Sequence, residues 1–326
     1  MTEQTIIINS GFALKQKDGL PVFVKRNIKR SGSGKEAFEE ALKEGKQKFS
    51  IADTVDVDFE EIIIDLHSLK QIIITPRGKG YISTAFIDFC LEHGILIYWI
   101  DPRGKIAASF IPFHMKKPTM IINQCRAHDN GKALEISKLL IKLKLEAQKM
   151  DSLIPKLDKA GSTKEILQIE GHAAKAYFNK WSIGDEWRFN GRHGRKFNDN
   201  YYAIDPLNSF LNLGYNLLAQ KMSETLLKRG WELSIGFLHL DVKDRYYNQL
   251  AYDFIEPYRT WIDDLVKTMI ADTEIKPSDF IFSKDKKSMV FKEHEVFKLV
   301  IDKFISVLNP LEHKSLPLIR KIEDML

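Results

Sequence analysis

Short runs of valine, isoleucine and leucine alternate with glycine and aspartate turns through the first third of the chain. Such runs, rich in β-branched side chains, are typical of strands. We predict strands at residues 5–8, 20–24, 61–64, 71–75, 95–100 and 106–111. Two helical patterns interrupt them at residues 35–46 and 83–93, the second with Ser83 as its N-cap and Gly94 as its stop. Residues 1–112 are therefore expected to form a β-rich domain.

The pattern changes at residues 113–118, beyond which leucine, isoleucine and lysine recur at helical spacing. We predict helices at residues 132–150, 164–181, 206–229, 250–271 and 291–308. Pro257 falls inside the fourth of these and should bend it. The expected fold class is α+β, with the N-terminal β-rich domain joined by a linker at 113–118 to a larger all-α domain over residues 119–326.

Apolar runs and cysteines exclude several classes of protein. No apolar run approaches the ~20 residues needed to span a bilayer, and the first residues lack the basic and apolar pattern of a secretory signal. We therefore expect a cytoplasmic protein without a membrane partner. Cys90 and Cys125 are the only cysteines and lie far apart, which excludes a zinc ribbon and a disulfide framework.

The net charge of +5 arises entirely from residues 113–326, because residues 1–112 carry equal numbers of basic and acidic side chains. A modest basic excess is weak evidence for a polyanionic partner. Lys138, Lys142 and Lys149 recur at spacings that place them on one face of a predicted helix. That face could contact phosphates. The same spacing of lysines is also common on ordinary helix faces that are exposed to solvent.

A second basic segment lies at residues 187–197, where Arg192 and Arg195 are mixed with aromatic side chains and glycines. This composition suits the contact of backbone phosphates and stacked bases. It suits an ordinary surface loop as well. Residue types alone leave both alternatives open.

Glu170 is the first candidate ligand of a metal ion. Ile166, Ala173 and Ala174 are its neighbours at helical spacing, so its carboxylate shares an apolar face that is expected to point inward. A buried carboxylate needs a cation, a salt bridge or a metal. His172 lies about 200° around the helix from Glu170, so we expect it to be structural.

Three further candidates follow within twenty residues of one another. His239 ends an apolar extended stretch, and Asp253 and Glu256 are an i, i+3 pair of carboxylates in an apolar run. Carboxylates with one imidazole suit Mg²⁺ or Mn²⁺ better than structural zinc. For Glu256, a salt bridge with Arg259 and no metal remains an open alternative, and Arg259 could also contact a phosphate.

Five motifs in register resemble the Cas1 family of CRISPR-associated adaptation integrases, over nearly the whole chain. The β-domain of that family is similar to residues 78–104, where a glycine and serine turn leads a helix, a strand and a second glycine turn. The remaining motifs are Lys144 with Gln148, Glu170-Gly171-His172-Ala173-Ala174 through Phe178, Asp205-Pro206-Leu207-Asn208, and Gly236 to His239 with Leu250 to Arg259.

The resemblance implies a fold, a site and a reaction. It implies that Glu170, His239 and Glu256 bind Mg²⁺ or Mn²⁺, and that Asp253 is a fourth catalytic residue, an acidic group whose role varies between members. The implied reaction joins spacer 3′-OH ends into a repeat array by metal-dependent transesterification. The DNA contacts that we expect are Arg192, Arg195, Lys138, Lys142 and Arg259.

The implied partners are double-stranded DNA, a second copy of the chain bound through the β-rich domain, and a small Cas2 protein flanked by two such dimers. Two other functions compete with this one. A non-catalytic nucleic-acid-binding scaffold would keep the fold and hold its acidic cluster with Arg259. A hydrolase of small phosphorylated metabolites would need a phosphate cradle, and the sequence contains no glycine-rich one.

Overall fold

The computed structural model of the chain describes residues 4–8, 12–17, 20–30, 55–63, 69–74, 80–100, 106–110, 116–192, 195–197, 200–239, 248–284 and 288–326. The chain divides into two compact units. The first comprises Met1–Asp101 and Ala107–Pro112, and the second comprises Pro102–Ile106 and Phe113–Leu326.

Two four-stranded sheets and one helix form the described part of the first unit. The strands are β1 (Gln4–Ile8), β2 (Phe12–Lys17), β3 (Leu20–Arg30), β4 (Val55–Ile63), β5 (Leu69–Ile74), β6 (Gly80–Ile82), β7 (Leu96–Ile100) and β8 (Ile106–Phe110). One sheet has the order β1-β5-β7-β8, and β1, β5 and β7 run parallel. The other has the order β4-β3-β2-β6, in which β2, β3 and β4 are antiparallel and β6 is parallel to β2.

The central strands of the parallel sheet explain its apolar sequence. Residues 72–74 of β5 and 96–98 of β7 are all buried, as expected for parallel strands in the interior of a sheet. Helix α1 (Thr84–Glu92) joins the same core. Its ends are as predicted, because the Ser83 hydroxyl accepts a bond from the Phe86 N–H (3.2 Å) and Gly94 has a φ of 67°.

The structure adds to the predicted strands of this unit. β2 was not predicted, because lysine and glutamine fill its second half. β3 and β4 also continue well beyond the predicted segments, paired along their whole length, and their extensions mix charged with apolar residues. The helix predicted at residues 35–46 lies outside the described residues.

Helices dominate the described part of the second unit. They are α2 (Pro118–Asp129), α3 (Lys132–Ala147), α4 (Ile154–Asp158), α5 (Thr163–Phe178), α6 (Pro206–Lys228), α7 (Gln249–Phe254), α8 (Arg259–Ala271), α9 (His294–Leu308) and α10 (Leu311–Met325). Two antiparallel hairpins interrupt them. They are formed by β9 (Arg195–Phe197) with β10 (Asn200–Tyr202), and by β11 (Phe280–Ser283) with β12 (Ser288–Phe291).

The long helix α6 lies at the centre of this unit and is buried along most of its length. Asp205 caps its N-terminus, because its Oδ1 accepts the Asn208 N–H at 2.8 Å and Pro206 occupies the first turn. Gly214 lets α8 and α9 pack closely against it. A Cβ at Gly214 would lie 2.4 Å from Ile262 Cγ2 and 2.7 Å from Phe304 Cε1.

Two predicted helices are not continuous over their whole predicted range. The helix predicted at 250–271 is interrupted as Pro257 indicated, since a 3₁₀ turn, Glu256–Tyr258, separates α7 from α8. The helix predicted at 132–150 stops at Ala147, and Lys149 has a φ of 57°. The predicted helical face of three lysines was therefore wrong for Lys149. Of these three lysines, only Lys138 and Lys142 lie on α3.

The fold class is α+β, as predicted, with strands at the N-terminus followed by helices. The two short hairpins in the helical unit were not predicted. Within the residues that the structure describes, no helix is long and apolar enough to cross a membrane.

Gly214 offers a test of the packing around α6. Gly214→Ala should destabilise the protein by about 1–3 kcal/mol, because the added methyl overpacks the contact with α8 and α9. Gly171→Ala is the control: Gly171 is an exposed helical position with no atom near its Cβ, so alanine should stabilise the protein by up to ~1 kcal/mol. Denaturant unfolding measures both, and equal effects would contradict the packing described for α6.

Candidate metal centre

One buried ammonium group lies between two of the predicted metal ligands. Lys144 on α3 donates a short hydrogen bond to Glu170 Oε1 on α5, and its Nζ lies 2.6 Å from Glu256 Oε2. The side chains of Lys144 and Glu256 are 5% and 3% exposed, whereas that of Glu170 is 23% exposed. The two carboxylates therefore face each other across a cation and are open to solvent on the Glu170 side.

Glu256 has a second cationic partner in Arg259, whose Nη2 donates to Glu256 Oε1 at 2.9 Å. Burial raises the pKa of Glu256, but the charges of Arg259, Lys144 and His239 outweigh it and lower the pKa to about 2. Its other oxygen, Oε2, lies 2.6 Å from the Lys144 ammonium. Both oxygens of this buried carboxylate are therefore in contact with a positive charge.

Asp253 fixes the loop that carries His239. Its Oδ2 accepts the N–H groups of Phe237 (2.6 Å) and Leu238 (3.0 Å), and its Oδ1 accepts that of His239 (3.2 Å). Gly236 is required for this close approach, since a Cβ there would lie 2.9 Å from Oδ2. The loop therefore wraps around the Asp253 carboxylate.

The same carboxylate orients the imidazole, because His239 Nδ1 lies 2.6 Å from Asp253 Oδ1. With Nδ1 donating to Asp253, Nε2 is the nitrogen able to bind a metal, as in many carboxylate–histidine–metal sites. Burial lowers the pKa of His239, but the hydrogen bond and charge of Asp253 and the charge of Glu256 raise it above its usual value, against Arg259. His239 is 39% exposed and so faces the solvent-open side of the site.

Helix α2 supports this loop from the other side. The Gln124 amide donates to the carbonyls of Glu232 and Ile235 at 3.0 Å each, and it accepts the Glu232 N–H at 2.9 Å. The His128 ring lies 2.9 Å from the Gly236 carbonyl. Sequence reasoning missed both residues. The sequence offers only one signal for them, since Gln124 and His128 are polar residues four positions apart and so lie on one face of α2. That helix was itself not predicted.

A network of buried polar groups extends from Glu256 along α8. Arg259 lies over the Tyr215 ring (4.7 Å), and the Tyr215 hydroxyl donates a short hydrogen bond to Asp263. Burial raises the pKa of Asp263 to about 6, against the hydrogen bonds of Tyr215 and Tyr177 and nearby arginine charge. Arg259 is therefore held from two sides.

Arg192 points into the same network. Its guanidinium donates to the side-chain oxygens of Asn208 and Asn212, at 2.6 Å each, and lies 5.2 Å from the centre of the Tyr215 ring. These contacts anchor the predicted basic loop to α6. Contact of Arg192 with DNA stays a prediction.

The remaining predicted DNA contacts lie on two elements. Lys138 is on α3, where its ammonium donates to Glu135 (3.3 Å) and to the carbonyl of Asp158 (3.2 Å), and the half-buried Lys142 is one turn further along. Arg195 begins β9. His172, expected to be structural, is exposed on α5.

The arrangement brings Glu170 and Glu256 together and places the charge of His239 within reach of Glu256. Asp253 and Glu256, predicted to lie on one face, have different partners. No three histidine, cysteine or acidic side chains among the described residues are close enough to hold an ion as they stand. The donor types, two carboxylates and one imidazole, suit Mg²⁺ or Mn²⁺. The Lys144 ammonium shows that the space between the two carboxylates accepts a positive charge.

Fold and site together define an α+β protein whose helical unit carries a carboxylate and imidazole cluster. The family model described as CRISPR associated protein Cas1 matches residues 38–150 and 142–305. The chain therefore belongs to the Cas1 family, as the motifs predicted.

Two relatives share much of the chain. It is 28% identical over 261 residues to the CRISPR-associated endonuclease Cas1 1 of Archaeoglobus fulgidus, covering 68% of this chain and 72% of that protein. It is 31% identical over 256 residues to the CRISPR-associated endonuclease Cas1 of Mycobacterium tuberculosis, covering 71% of this chain and 72% of that protein.

Solved structures share the fold. A Cas1 protein from Thermotoga maritima matches with a TM-score of 0.74 and 15% identity, over 99% of this chain and 96% of that one. A casposase bound to integration product matches with a TM-score of 0.70 and 23% identity, over 94% and 82%. A chain of a Cas6-RT-Cas1–Cas2 complex matches with a TM-score of 0.66 and 16% identity, over 99% and 35%.

The contact between Asp253 and His239 can be tested by titration. In Asp253→Asn the His239 pKa should fall below that of the wild type, because the charge that favours the imidazolium is removed. The contact of the protonated His239 ring with Asp253 stabilises the folded, metal-free wild type. This stabilisation is complete below about pH 6.5, the usual pKa of histidine, and is lost as pH rises through the higher pKa of His239 in the folded protein. NMR titration of the imidazole in the metal-free protein measures the shift.

The same variant should also lower the free energy of unfolding by about 2–3 kcal/mol, because three backbone N–H groups lose an ionised acceptor. Asp264→Asn is the control, since Asp264 on α8 is 70% exposed and pairs only with Lys267 in the described structure. An unchanged His239 pKa in Asp253→Asn would remove Asp253 from its positioning role.

Proposed function

We propose that the protein is a metal-dependent DNA integrase and endonuclease of CRISPR adaptation, which joins spacer 3′-OH ends into a repeat array. Membership of the Cas1 family supports the general role, together with relatives named endonucleases and the fold shared with a casposase bound to integration product. The observation that carries the metal-dependent part is the pair of carboxylates, Glu170 and Glu256, facing each other across a cation beside an oriented imidazole.

In this proposal Glu170, His239 Nε2 and Glu256 hold Mg²⁺ or Mn²⁺. The bound ion would activate the attacking hydroxyl and stabilise charge on the attacked phosphate. The protein itself supplies no nucleophile, because a DNA 3′-OH serves that purpose. Asp253 acts as a positioning residue, because its carboxylate fixes both the loop and the tautomer of His239.

Arg259 has two roles in the proposed site. Its salt bridge with Glu256 holds that carboxylate in place, and its guanidinium adds positive charge next to the point where a phosphate would bind. Positive charge at this point favours the transition state, in which the attacked phosphorus is pentacoordinate and its oxygens carry more negative charge than in the ground state.

The proposed partners are supported by the charge of the helical unit and by similarity of fold. Double-stranded DNA would lie along the helical unit, whose residues 113–326 carry the whole basic excess. Fold similarity to part of a chain in a Cas6-RT-Cas1–Cas2 complex supports a Cas2-type partner. We further propose a homodimer formed through the β-rich unit.

A second function is favoured by one specific observation. Lys144 and Arg259 already neutralise Glu170 and Glu256, so these carboxylates are satisfied without any metal. A non-catalytic scaffold that binds DNA would have this same site. Metal-dependent strand joining distinguishes the two functions.

The ligand assignment predicts loss of joining in Glu170→Gln and in His239→Ala. Each should reduce Mg²⁺- or Mn²⁺-dependent joining of a 3′-OH duplex to a plasmid carrying a repeat array by about 100-fold or more, corresponding to ~3 kcal/mol of transition-state stabilisation. Binding of the duplex should survive. The assay uses the full chain with and without its small partner.

Matched controls lie on the same helix as Glu170. Glu165→Gln removes an exposed carboxylate in the first turn of α5, and His172→Ala removes an exposed imidazole. Both should join DNA at the wild-type rate. Full joining by Glu170→Gln and His239→Ala would contradict the assignment of these residues as metal ligands. Absence of metal-dependent joining by the wild type would leave the scaffold as the better function.

The predicted DNA-binding face of α3 has its own test. The double variant Lys138→Met, Lys142→Met should weaken duplex binding for all sequences and reduce the slope of log K against log salt by about one for each phosphate that the protein no longer neutralises. Lys303→Met is the control, since Lys303 is a partly exposed lysine of α9 that pairs with Glu274. An unchanged salt slope in the double variant would return this face to an ordinary solvated surface.

A further inference from the structure

Lys144 is buried more deeply than Glu170, the carboxylate on the solvent-exposed side of the site. Its ammonium contacts Glu170 and Glu256, which belong to separate elements. Solvent reaches Glu170 and His239 first, since their side chains are 23% and 39% exposed, and Lys144 lies behind them at 5%. An ion entering from solvent therefore meets Glu170 while this carboxylate is still bound to Lys144.

The charges around this point nearly balance without a metal. Glu170 and Glu256 carry two negative charges, and Lys144 and Arg259 carry two positive ones. Arg259 is bound to Glu256 and stacked on Tyr215, so it cannot leave without breaking both contacts. Lys144 has a flexible four-carbon stem and a compact ammonium, which makes it the cation that can move.

A second buried ion cluster in the same unit offers a comparison. Glu224 on α6 is fully buried and has a lysine on each oxygen, Lys221 at 3.0 Å from Oε2 and Lys228 at 2.7 Å from Oε1. Lys228 also contacts Glu312 at 3.2 Å, so it is shared by two carboxylates as Lys144 is. The two clusters differ in their second cation, which is Lys221 beside Glu224 and Arg259 beside Glu256. None of these ion pairs around Glu224 involves an imidazole, so the cluster serves as a control for the contacts of Lys144.

We infer that Lys144 is a built-in competitor of the catalytic metal: it holds Glu170 and Glu256 together while the site is metal-free, and it must release at least one of them when a divalent ion binds. This inference rests on the proposed function, because it concerns the same two carboxylates. Its consequence is a metal affinity set by the strength of the lysine contacts. A divalent ion gains its carboxylate ligands only at the expense of at least one existing ion pair.

The test measures Mn²⁺ binding to the purified full chain by calorimetry and by electron paramagnetic resonance, without DNA. In Lys144→Met the ammonium is replaced by an apolar side chain of similar length, so Glu170 and Glu256 repel each other until an ion binds. The dissociation constant for Mn²⁺ should fall tenfold or more. The melting temperature of the metal-free variant should fall, and Mn²⁺ should raise it by more degrees than in the wild type.

Lys144→Arg keeps the charge and tests the opposite direction. A guanidinium can bind both carboxylates through several N–H groups at once, so it should be harder to displace. Mn²⁺ should then bind at least tenfold more weakly than to the wild type, which keeps the inference testable if the methionine variant does not fold. Lys221→Met is the matched control, because it breaks a buried lysine and glutamate pair in the other cluster and should leave Mn²⁺ affinity unchanged.

Each outcome has a distinct meaning. Weaker Mn²⁺ binding in Lys144→Met overturns the inference, because it would make Lys144 a support for the metal site. Unchanged Mn²⁺ binding in Lys144→Met or in Lys144→Arg also overturns it, because Lys144 would then not compete with the metal. In both cases a loss of Mn²⁺ binding in Glu170→Gln would still support the proposed metal site. If neither the wild type nor Lys144→Met binds Mn²⁺, both the inference and the metal-dependent function fail.

Discussion

The contact of the Lys144 ammonium with two carboxylates is the interaction on which the centre of the helical unit depends. It joins α3, α5 and the 3₁₀ turn at Glu256, which are far apart along the chain. Removing one partner of a buried ion pair costs several kcal/mol, since the remaining charge has neither water nor a counterion. The three elements are therefore held in register by charge as well as by apolar packing.

A second carboxylate organises the other half of the site in a different way. Asp253 binds backbone N–H groups and one imidazole, with no lysine or arginine partner among the residues that the structure describes. Because its contacts are to the backbone, it fixes the path of the loop and leaves one face of His239 open. Two acidic residues three positions apart, Asp253 and Glu256, thus position two different parts of the site. The break of the helix before Pro257 makes this possible, since the two side chains no longer continue along one helical face.

Much of this architecture could be predicted from the sequence because strong local patterns encode it. The apolar runs of β5 and β7, the caps of α1 and the break at Pro257 each follow from short-range chemistry. The strand β2 could not be predicted, because its polar residues become strand only by pairing with β3. The same holds for α2, whose Gln124 and His128 face a loop more than a hundred positions away.

The site itself could be predicted in its residue types but only partly in its geometry. The spacing of Glu170 indicated an inward carboxylate that needs a cation, and the salt bridge between Glu256 and Arg259 was an open alternative that the structure contains. The role of Lys144 was hidden, because nothing in one sequence reveals which lysine of a helix reaches across to carboxylates on two distant elements. Arg192 illustrates the reverse: a glycine-rich basic loop suggests a surface contact, yet its guanidinium is bound to Asn208 and Asn212. Long-range polar contacts are therefore the part of the site that local sequence patterns do not determine. These same contacts determine whether a buried carboxylate binds a metal or a lysine.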